Sequence, residues 1–536
     1  MDIIHQITGV IEGVSGVRLL DIDPGKATNR TVVTFVGSPD AVVEAAFLSI
    51  KKATQLIDMR HHKGEHPRFG ATDVCPLVPV SGVSMEEAAH YARLLAERVG
   101  KELGIPVYLY EAAASRPERK NLANVRAGEY EGLAQKLSDP HWQPDYGTAV
   151  FDEQVARTGA SAIGARDFLI AYNVNLNTTS VRRANSVAFD VREAGRVVKE
   201  ADGSSVRQTG TLKGVKAIGW YIEEYGIAQV SMNLTDMYET PLHKAFDAVC
   251  QSAQSRGMRV TGSELVGLVP LKALLEAGKH FLYQQKRSAG VSEAELIKIA
   301  VKTMGLDELA PFDPQKKVIE YLIADDTSKA LSSMSLWGFA DETASESPAP
   351  GGGSVSAYLG ALAASLGTMV ANLSSHKRGW DERWAEFGGW AERGQYLKDR
   401  LLLLVDADTR AFNLILEATR LPKSTPEEAA LRTEAIENAT RQAIITPFEV
   451  MQLSAETLPL LKVMAEVGNP NSVSDAGVGA LCARSAVWGA FLNVKINASG
   501  LNDRAFAEIK TREGELILAR AEALEKEILQ IVQLKI

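Results

Sequence analysis

Two hydrophobic rhythms divide this chain. Up to residue 323, short apolar runs alternate with helical spacings; beyond it, apolar positions recur almost only at three- and four-residue intervals. The strand-like runs are "VRLLDI" (17–22), "TVVTFV" (31–36), "VCPLVPV" (74–80), "PVYLY" (106–110), "DFLIAYNVNL" (167–176) and "IAQVSMNL" (227–234). Helical periods lie between them over 39–58, 84–103, 126–137, 241–256 and 291–304. This alternation predicts an α/β architecture. "LIAYNVNLNT" (169–178) and "AQVSMNLTDM" (228–237) each end a strand on Asn-Leu and then turn, which points to a second subdomain starting near 169.

The later rhythm predicts helices over 355–373, 381–421, 426–466, 474–498 and 503–535. Thr425, Pro426 and Glu428 form a capping box with proline at the first helical position. "GNP" (468–470) is a stop and turn. Long helices with short connections predict an all-α bundle. The expected division is therefore two α/β-sandwich subdomains, 1–168 and 169–323, a small polar linker, 324–334, and a helix bundle, 335–536.

Composition narrows the partners. Hydrophobic residues make up 46% and charged residues 23%, an ordinary globular balance, and the net charge is −9. No basic stripe interleaves with aromatics, which argues against nucleic acid. The cysteines Cys75, Cys250 and Cys482 are far apart and form no CxxC, so a reduced, cytoplasmic protein without structural zinc is expected. The first residues lack a basic segment followed by an apolar one, and no signal peptide is expected. "VSAYLGALAASLGTMVANL" (355–373) is long enough to span a membrane, but its Ala, Gly and Ser content favours a buried bundle helix.

"HHKGEHPRFGATDVCPLVPV" (61–80) concentrates His61, His62 and His66 in one short stretch. His62 and His66 are four apart, a zinc-ligand spacing on a helix, but Gly64 and Pro67 oppose a helix, and the pattern is not HExxH. A metal site is disfavoured. A surface turn and a non-metal acid–base site both stay open. Histidine can give and take a proton near neutrality, and Arg68 could hold a carboxylate bidentately.

Three features mark the helical part. "PGGGSV" (350–355) lacks the Gly-Lys-Ser/Thr of a P-loop. It is either a joint or a helix start whose backbone N–H groups at Gly352 and Gly353 receive an anion. In "LLLLVDADTRAFNLIL" (401–416), Leu401, Val405, Asp408, Phe412 and Ile415 form one core-facing stripe, with Asp406 about 200° away round the helix. A carboxyl on such a stripe should have a raised pKa and suit proton donation. A buried structural aspartate remains the alternative. In "GNPNSVSDAGVGA" (468–480), Ser474 is a plausible N-cap, and Asp475 either lies in the positive first turn or points into a ligand site.

The longer motifs carry a resemblance. "LLDIDPGKATNRTVVTFVG" (19–37), "HKGEHPRFGATDVCPLVPV" (62–80), "RAGEYEGL" (126–133), "IGARDFLIAYNVNL" (163–176), "AIGWY" (217–221) and "GLVPLKALLEA" (267–277) closely resemble the glutamate formiminotransferase family. "APGGGSV" (349–355), "LVDADTRAF" (404–412) and "LPKSTPEE" (421–428) resemble formiminotetrahydrofolate cyclodeaminase, in the order of the fused bifunctional family. The likeness runs from about residue 17 to the C-terminus.

The resemblance implies a folate enzyme of histidine degradation. It would move the formimino group of N-formimino-L-glutamate to tetrahydrofolate, then expel ammonia to give 5,10-methenyltetrahydrofolate. It implies His66, in Glu-His-Pro-Arg, as the catalytic histidine of transfer. It implies Asp408, the second Asp of Val-Asp-Ala-Asp, as the proton donor of deamination. The folate-binding loop maps to Gly147, Thr148, Ala149, Val150, Phe151, Asp152, Glu153, Gln154, Val155, Ala156, Arg157, Thr158 and Gly159, a stretch longer than the common form. Polyglutamylated tetrahydrofolate is the implied co-substrate, a ring-shaped homo-octamer the implied assembly, and no metal is implied. Two other readings stay open: a methenyltetrahydrofolate cyclohydrolase in the helical half, and a non-catalytic folate-binding scaffold. Family members usually begin with a strand and a Pro-Asn-Phe-Ser-Glu-Gly loop. Here "MDIIHQITGVIEG" starts at what resembles the following helix, and the expectation is weak transfer beside near-normal deamination.

Overall fold

The computed structural model describes every residue of the chain except 26–28, 65–67, 201–203 and 325–330. Contacts divide it into two compact units, Met1–Leu274 with Met304–Ile323, and Leu275–Thr303 with Ala324–Ile536.

The first unit is α/β. β1 (Val17–Gly25) and β2 (Arg30–Gly37) pair antiparallel, with a register shift between Leu19 and Asp21. β3 (Val74–Leu77), β4 (Val107–Glu111) and β5 (Ser161–Ala165) form a parallel sheet in the order β3-β5-β4. Its strands β4 and β5 are buried on both faces. Val107 and Leu109 of β4 pack with Phe47, Leu95 and Val99 from helices Pro39–Leu56 and Met85–Leu103. The alternate residues Tyr108 and Tyr110 pack with Phe69, Val125, Leu133 and Val155. Further along, β6 (Ile170–Leu176), β9 (Val215–Ile222), β10 (Ile227–Leu234) and β11 (Val260–Val266) make an antiparallel sheet, ordered β11-β6-β10-β9. β7 (Arg196–Lys199) and β8 (Ser205–Gln208) form a separate ribbon.

The second unit is helical. Its long helices are Gly352–Ser375, Trp384–Arg420, Pro426–Val467, Val473–Ser499 and Arg504–Lys535. The capping box forms as the sequence predicts: Thr425 Oγ1 accepts from the Glu428 N–H at 3.2 Å, and the Glu428 carboxylate accepts from the Thr425 N–H. Helices Gly352–Ser375 and Pro470–Ser499 are long and apolar enough to cross a membrane by composition, with 61% and 50% of their most apolar windows buried. Residues 275–303, which the hydrophobic pattern groups with 169–323, make their contacts with the helical unit. Asn372 Nδ2 and Gln395 Nε2 both donate to the Gly290 carbonyl, and Lys279 pairs with Glu392.

Several elements escape the hydrophobic pattern. β5 is "SAIGA", five buried residues with no alternation. Glycine is required there because a Cβ at Gly164 would lie 2.4 Å from the Tyr110 carbonyl oxygen. Gly219 in β9 abuts helix Val181–Val191 in the same way, its Cβ position 2.2 Å from the Asn185 nitrogen. Of the 126–137 period, only Leu133–Ser138 is helical. Ser474 is no cap: the helix starts at Val473, with Ser474 exposed inside its first turn.

Gly394 tests how closely the bundle helices are packed. A Cβ there would sit 2.0 Å from Thr368 Oγ1, whose own bond to the Ala364 carbonyl fixes it. We expect Gly394→Ala to destabilise the helical unit by about 1–3 kcal/mol, because the clash outweighs alanine's helix preference. A melting temperature by circular dichroism equal to or above that of the parent chain would contradict this.

Candidate functional site

Two places collect the residues singled out above. The first lies in the α/β unit, around residues 58–70. His66 itself falls at 65–67, outside the described residues. The flanks are well defined. Asn29 Nδ2 donates to the Lys63 carbonyl at 2.7 Å, and the Asn29 carbonyl faces His62 Nε2 at 2.9 Å. Arg68 donates through Nε to the His62 carbonyl and through Nη2 to Glu131 at 2.6 Å, and its guanidinium lies over the Tyr130 ring. A bidentate hold on a ligand carboxylate would require Arg68 to exchange Glu131 for that ligand.

The segment 147–159 runs beside these flanks at one end only. Gly147 has φ +85°, and a Cβ there would strike the Ile105 carbonyl at 1.9 Å. Thr148 Oγ1 accepts from the Val150 N–H, and Val150 and Phe151 are exposed. Asp152 caps the short helix Glu153–Thr158 by accepting from the Val155 N–H. Gln154 donates to the Leu103 carbonyl and Arg157 to the Gln55 carbonyl. The Ala71 N–H donates to the Thr158 carbonyl, the Ala160 N–H to the Phe69 carbonyl, and Tyr130 Oη to the Ala156 carbonyl. Gly159 (φ +67°) bridges Gly70 where their backbones nearly touch. Residues 155–159 thus brace the strand that leaves the histidine loop, while 147–151 face outward.

The second place lies at the start of helix Gly352–Ser375. Gly351 has no side chain to cap this helix, so its first N–H groups need another acceptor. Asp408, from helix Trp384–Arg420, supplies one by accepting from the Ser354 N–H. One of the N–H groups at the Gly-rich helix start, that of Ser354, is thus met by a side chain of the next helix. The approach depends on Gly353: a Cβ there would lie 2.2 Å from Asp408 Oδ1. Ser354 Oγ is 3.1 Å from Asp408 Oδ2, 2.9 Å from the Val405 carbonyl and 3.4 Å from Thr409 Oγ1. On the other side, a Cβ at Gly352 would meet Asn493 Nδ2 at 3.4 Å. Burial pushes the Asp408 carboxyl above the usual carboxylate range, against the lowering effect of the Ser354 hydroxyl and N–H. A carboxyl that holds its proton more tightly, in a half-buried site at a helix start, is suited to proton donation.

The stripe that suggested Asp408 is only half buried. Leu401 and Val405 are in the core, but Phe412 is exposed. Asp406 is the more buried carboxylate, 5% exposed, and accepts from the N–H groups of Leu331 (2.8 Å) and Ser332 (3.4 Å). Asp475 lies in the first turn of helix Val473–Ser499, 18 residues before the Asn493 turn, or roughly 27 Å along the helix. The structure therefore joins Gly352, Gly353 and Asp408 but not Asp475. Ser354, Thr409 and Asn493 were not singled out from the sequence. Ser354 had a signal, following directly on the glycine run; Asn493 had none. Among the described residues, no cluster of three or more His, Cys, Asp or Glu could hold a metal ion. The three cysteines are free, and burial pushes the Cys75 thiol up to about 12.

Comparisons with known proteins cover most of the chain. Residues 1–166 match the formiminotransferase domain, N-terminal subdomain; residues 171–324 match the formiminotransferase domain; and residues 335–515 match formiminotransferase-cyclodeaminase. The mouse protein named formimidoyltransferase-cyclodeaminase is 44% identical over 95% of this chain and 92% of its own length. The protein of that name from Dictyostelium discoideum is 41% identical over 99% of this chain and 96% of its own length. A methenyltetrahydrofolate cyclohydrolase from Methylorubrum extorquens is 39% identical over 37% of this chain and 95% of its own length.

Asp406 should be structural. Asp406→Ala leaves the buried Leu331 N–H without its acceptor, and we expect a loss of about 1–3 kcal/mol. A melting temperature unchanged from that of the parent chain would show that this bond contributes nothing.

Proposed function

The chain belongs to the formimidoyltransferase-cyclodeaminase family, and from that membership we propose that it carries two successive folate reactions. The first moves the formimino group of N-formimino-L-glutamate to N5 of tetrahydrofolate. The second closes N10 of 5-formiminotetrahydrofolate onto the formimino carbon and releases ammonia, giving 5,10-methenyltetrahydrofolate. The α/β unit would carry the first and the helical unit the second.

In transfer, His66 acts as general base toward N5 and returns the proton to the departing glutamate nitrogen. Support comes from its motif and from the rigid flanks: His62, Arg68 and Phe69 are held by hydrogen bonds or burial. Arg68 and the segment Gly147–Gly159 are the proposed substrate and folate contacts on this side, and Gly352 and Gly353 on the other. In deamination, the bond from N10 to the formimino carbon forms, the bond from that carbon to the terminal nitrogen breaks, and Asp408 gives that nitrogen its proton. The observation that carries this step is the Asp408 carboxyl itself, pushed up by burial and seated against a glycine. Asp475 has no support in this role.

The finer assignments belong to the same proposal. The folate is polyglutamylated, and a tethered intermediate would meet the second site at a high effective concentration. The enzyme works in the cytoplasm as a homo-oligomer, an octamer by family resemblance. Exposed Leu362, Met369 and Leu373 on one bundle helix, and Val478, Leu481, Trp488 and Leu492 on the helix packed against it, support an oligomer, since they form apolar rows at helical spacing.

The cyclohydrolase likeness over 37% of the chain favours a second reading, in which the helical half only hydrates the methenyl carbon. Incubation with 5-formiminotetrahydrofolate separates the two, because only a cyclodeaminase releases ammonia.

We expect His66→Ala to abolish formimino transfer and leave deamination of supplied 5-formiminotetrahydrofolate nearly intact. Loss of both activities in a folded variant would sink the assignment to separate sites. We expect Asp408→Asn to fold normally and lose ammonia release by roughly 10²–10⁴-fold, the usual value of general-acid help. Turnover at the parental rate would return Asp408 to a structural role.

A further inference from the structure

The Asp408 site holds one hydrogen fewer than its contacts demand. Ser354 is fully buried, and its Oγ stands 2.9 Å from the Val405 carbonyl and 3.1 Å from Asp408 Oδ2. A serine hydroxyl has a single hydrogen, and the Val405 carbonyl can only accept. If that hydrogen points to Val405, the Asp408 contact is held by a proton on the carboxyl. If it points to Oδ2, the carboxyl is ionised.

We propose that Ser354 is a positioning residue for ammonia release, its hydroxyl hydrogen turning between the Val405 carbonyl and Asp408 Oδ2 as the carboxyl passes from acid to carboxylate. This rests on the reading of Asp408 as the proton donor. While Asp408 is protonated, its O–H donates to Ser354 Oγ and the serine hydrogen bonds Val405. As the C–N bond breaks, the Asp408 O–H turns from Ser354 Oγ to the leaving nitrogen, the O–H bond breaks and an N–H bond forms on that nitrogen. The serine hydrogen then swings to Oδ2 and never leaves its oxygen. Water reprotonates the carboxylate, and the hydroxyl swings back. The heavy atoms need not move in either state, since the Ser354 N–H keeps its bond to the carboxyl.

The surroundings leave this task to Ser354. Among the described residues, only burial, the Ser354 hydroxyl and the Ser354 N–H shift the Asp408 carboxyl, with no Lys, Arg, His, Asp or Glu among the causes. From the carboxyl's own helix Thr409 reaches the hydroxyl, and helix Val473–Ser499 brings the uncharged Asn493 beside Gly352.

The test measures ammonia release from 5-formiminotetrahydrofolate against pH in the full chain. Ser354→Ala removes a donor to the anion, so the Asp408 pKa rises further. The high-pH limb of kcat, where the acid loses its proton, should move up by about one pH unit. On the plateau below that limb, kcat should fall about tenfold with KM little changed, the size expected for one hydrogen bond to a charged group. Ser354→Thr, which keeps the hydroxyl, should return the limb toward its parental position. Ser354→Cys, of similar size but a weaker donor, should move it in the alanine direction, and it serves if alanine impairs folding. In an Asp408→Asn background, Ser354→Ala should cost nothing more. A parental limb in both Ser354→Ala and Ser354→Cys, or full additivity with Asp408→Asn, overturns the proposal. Parental ammonia release by Asp408→Asn alone instead overturns the proton-donor reading beneath it.

Discussion

Side chains of one helix seated against glycines of the next, in the space that missing Cβ atoms leave, are the constraint on which the helical half depends. Helix Gly352–Ser375 meets its neighbours through Gly353, Gly360 and Gly367 on its own surface, and through Gly394, Gly479 and Gly489 opposite. At each, a Cβ would come within 3.0 Å of a neighbouring side chain. Helices at this separation are held by dispersion over a long contact and leave little room for large side chains. The constraint explains why the segment is built of Gly, Ala and Ser, and why its composition imitates a membrane span. It also sets the chemistry, since only a glycine at 353 lets a carboxyl from the next helix reach the first turn.

Asp406 and Asp408 show how two identical side chains, two residues apart, receive opposite tasks. The helix turns them to different faces. Asp406 is the more buried, yet it meets two backbone N–H groups that share its charge. Asp408 is less buried, but among the groups that shift its proton only Ser354 opposes desolvation, and desolvation prevails. Degree of burial therefore does not by itself mark the acid; at Asp408 desolvation outweighs the two donors that Ser354 supplies.

Much of this was legible from residue order. The two rhythms gave the division into α/β and helical parts, β10 at 227–234 and the capping box at Thr425, because each leaves a local signature of period or cap chemistry. β5 and β9 were not legible, since glycines there answer to a neighbour remote in sequence rather than to a period. Asp408 was found by a stripe that continues past it to the exposed Phe412, so the residue was identified although its predicted burial was overstated. Asn493 reaches the site through helix packing alone and leaves no pattern. The grouping of 275–303 with the helices rests on contacts such as those to the Gly290 carbonyl, which no spacing encodes.

The Asp408 site also runs against stability, and the sign can be worked out. Its folded pKa lies above the ordinary carboxyl value, about 3.9 in an unfolded chain. Between those two values the native state holds the proton that the unfolded chain releases, so folding weakens as pH climbs through that window. Above the raised value the ionised carboxyl sits in a half-buried site where, among the described residues, the two Ser354 donors alone lower its pKa against burial. A carboxyl placed purely for structure would be expected to gather donors until they offset its burial. A carboxyl whose donors do not offset its burial favours its acid form at a cost to the fold. That combination follows if the proton itself is what the site has to deliver.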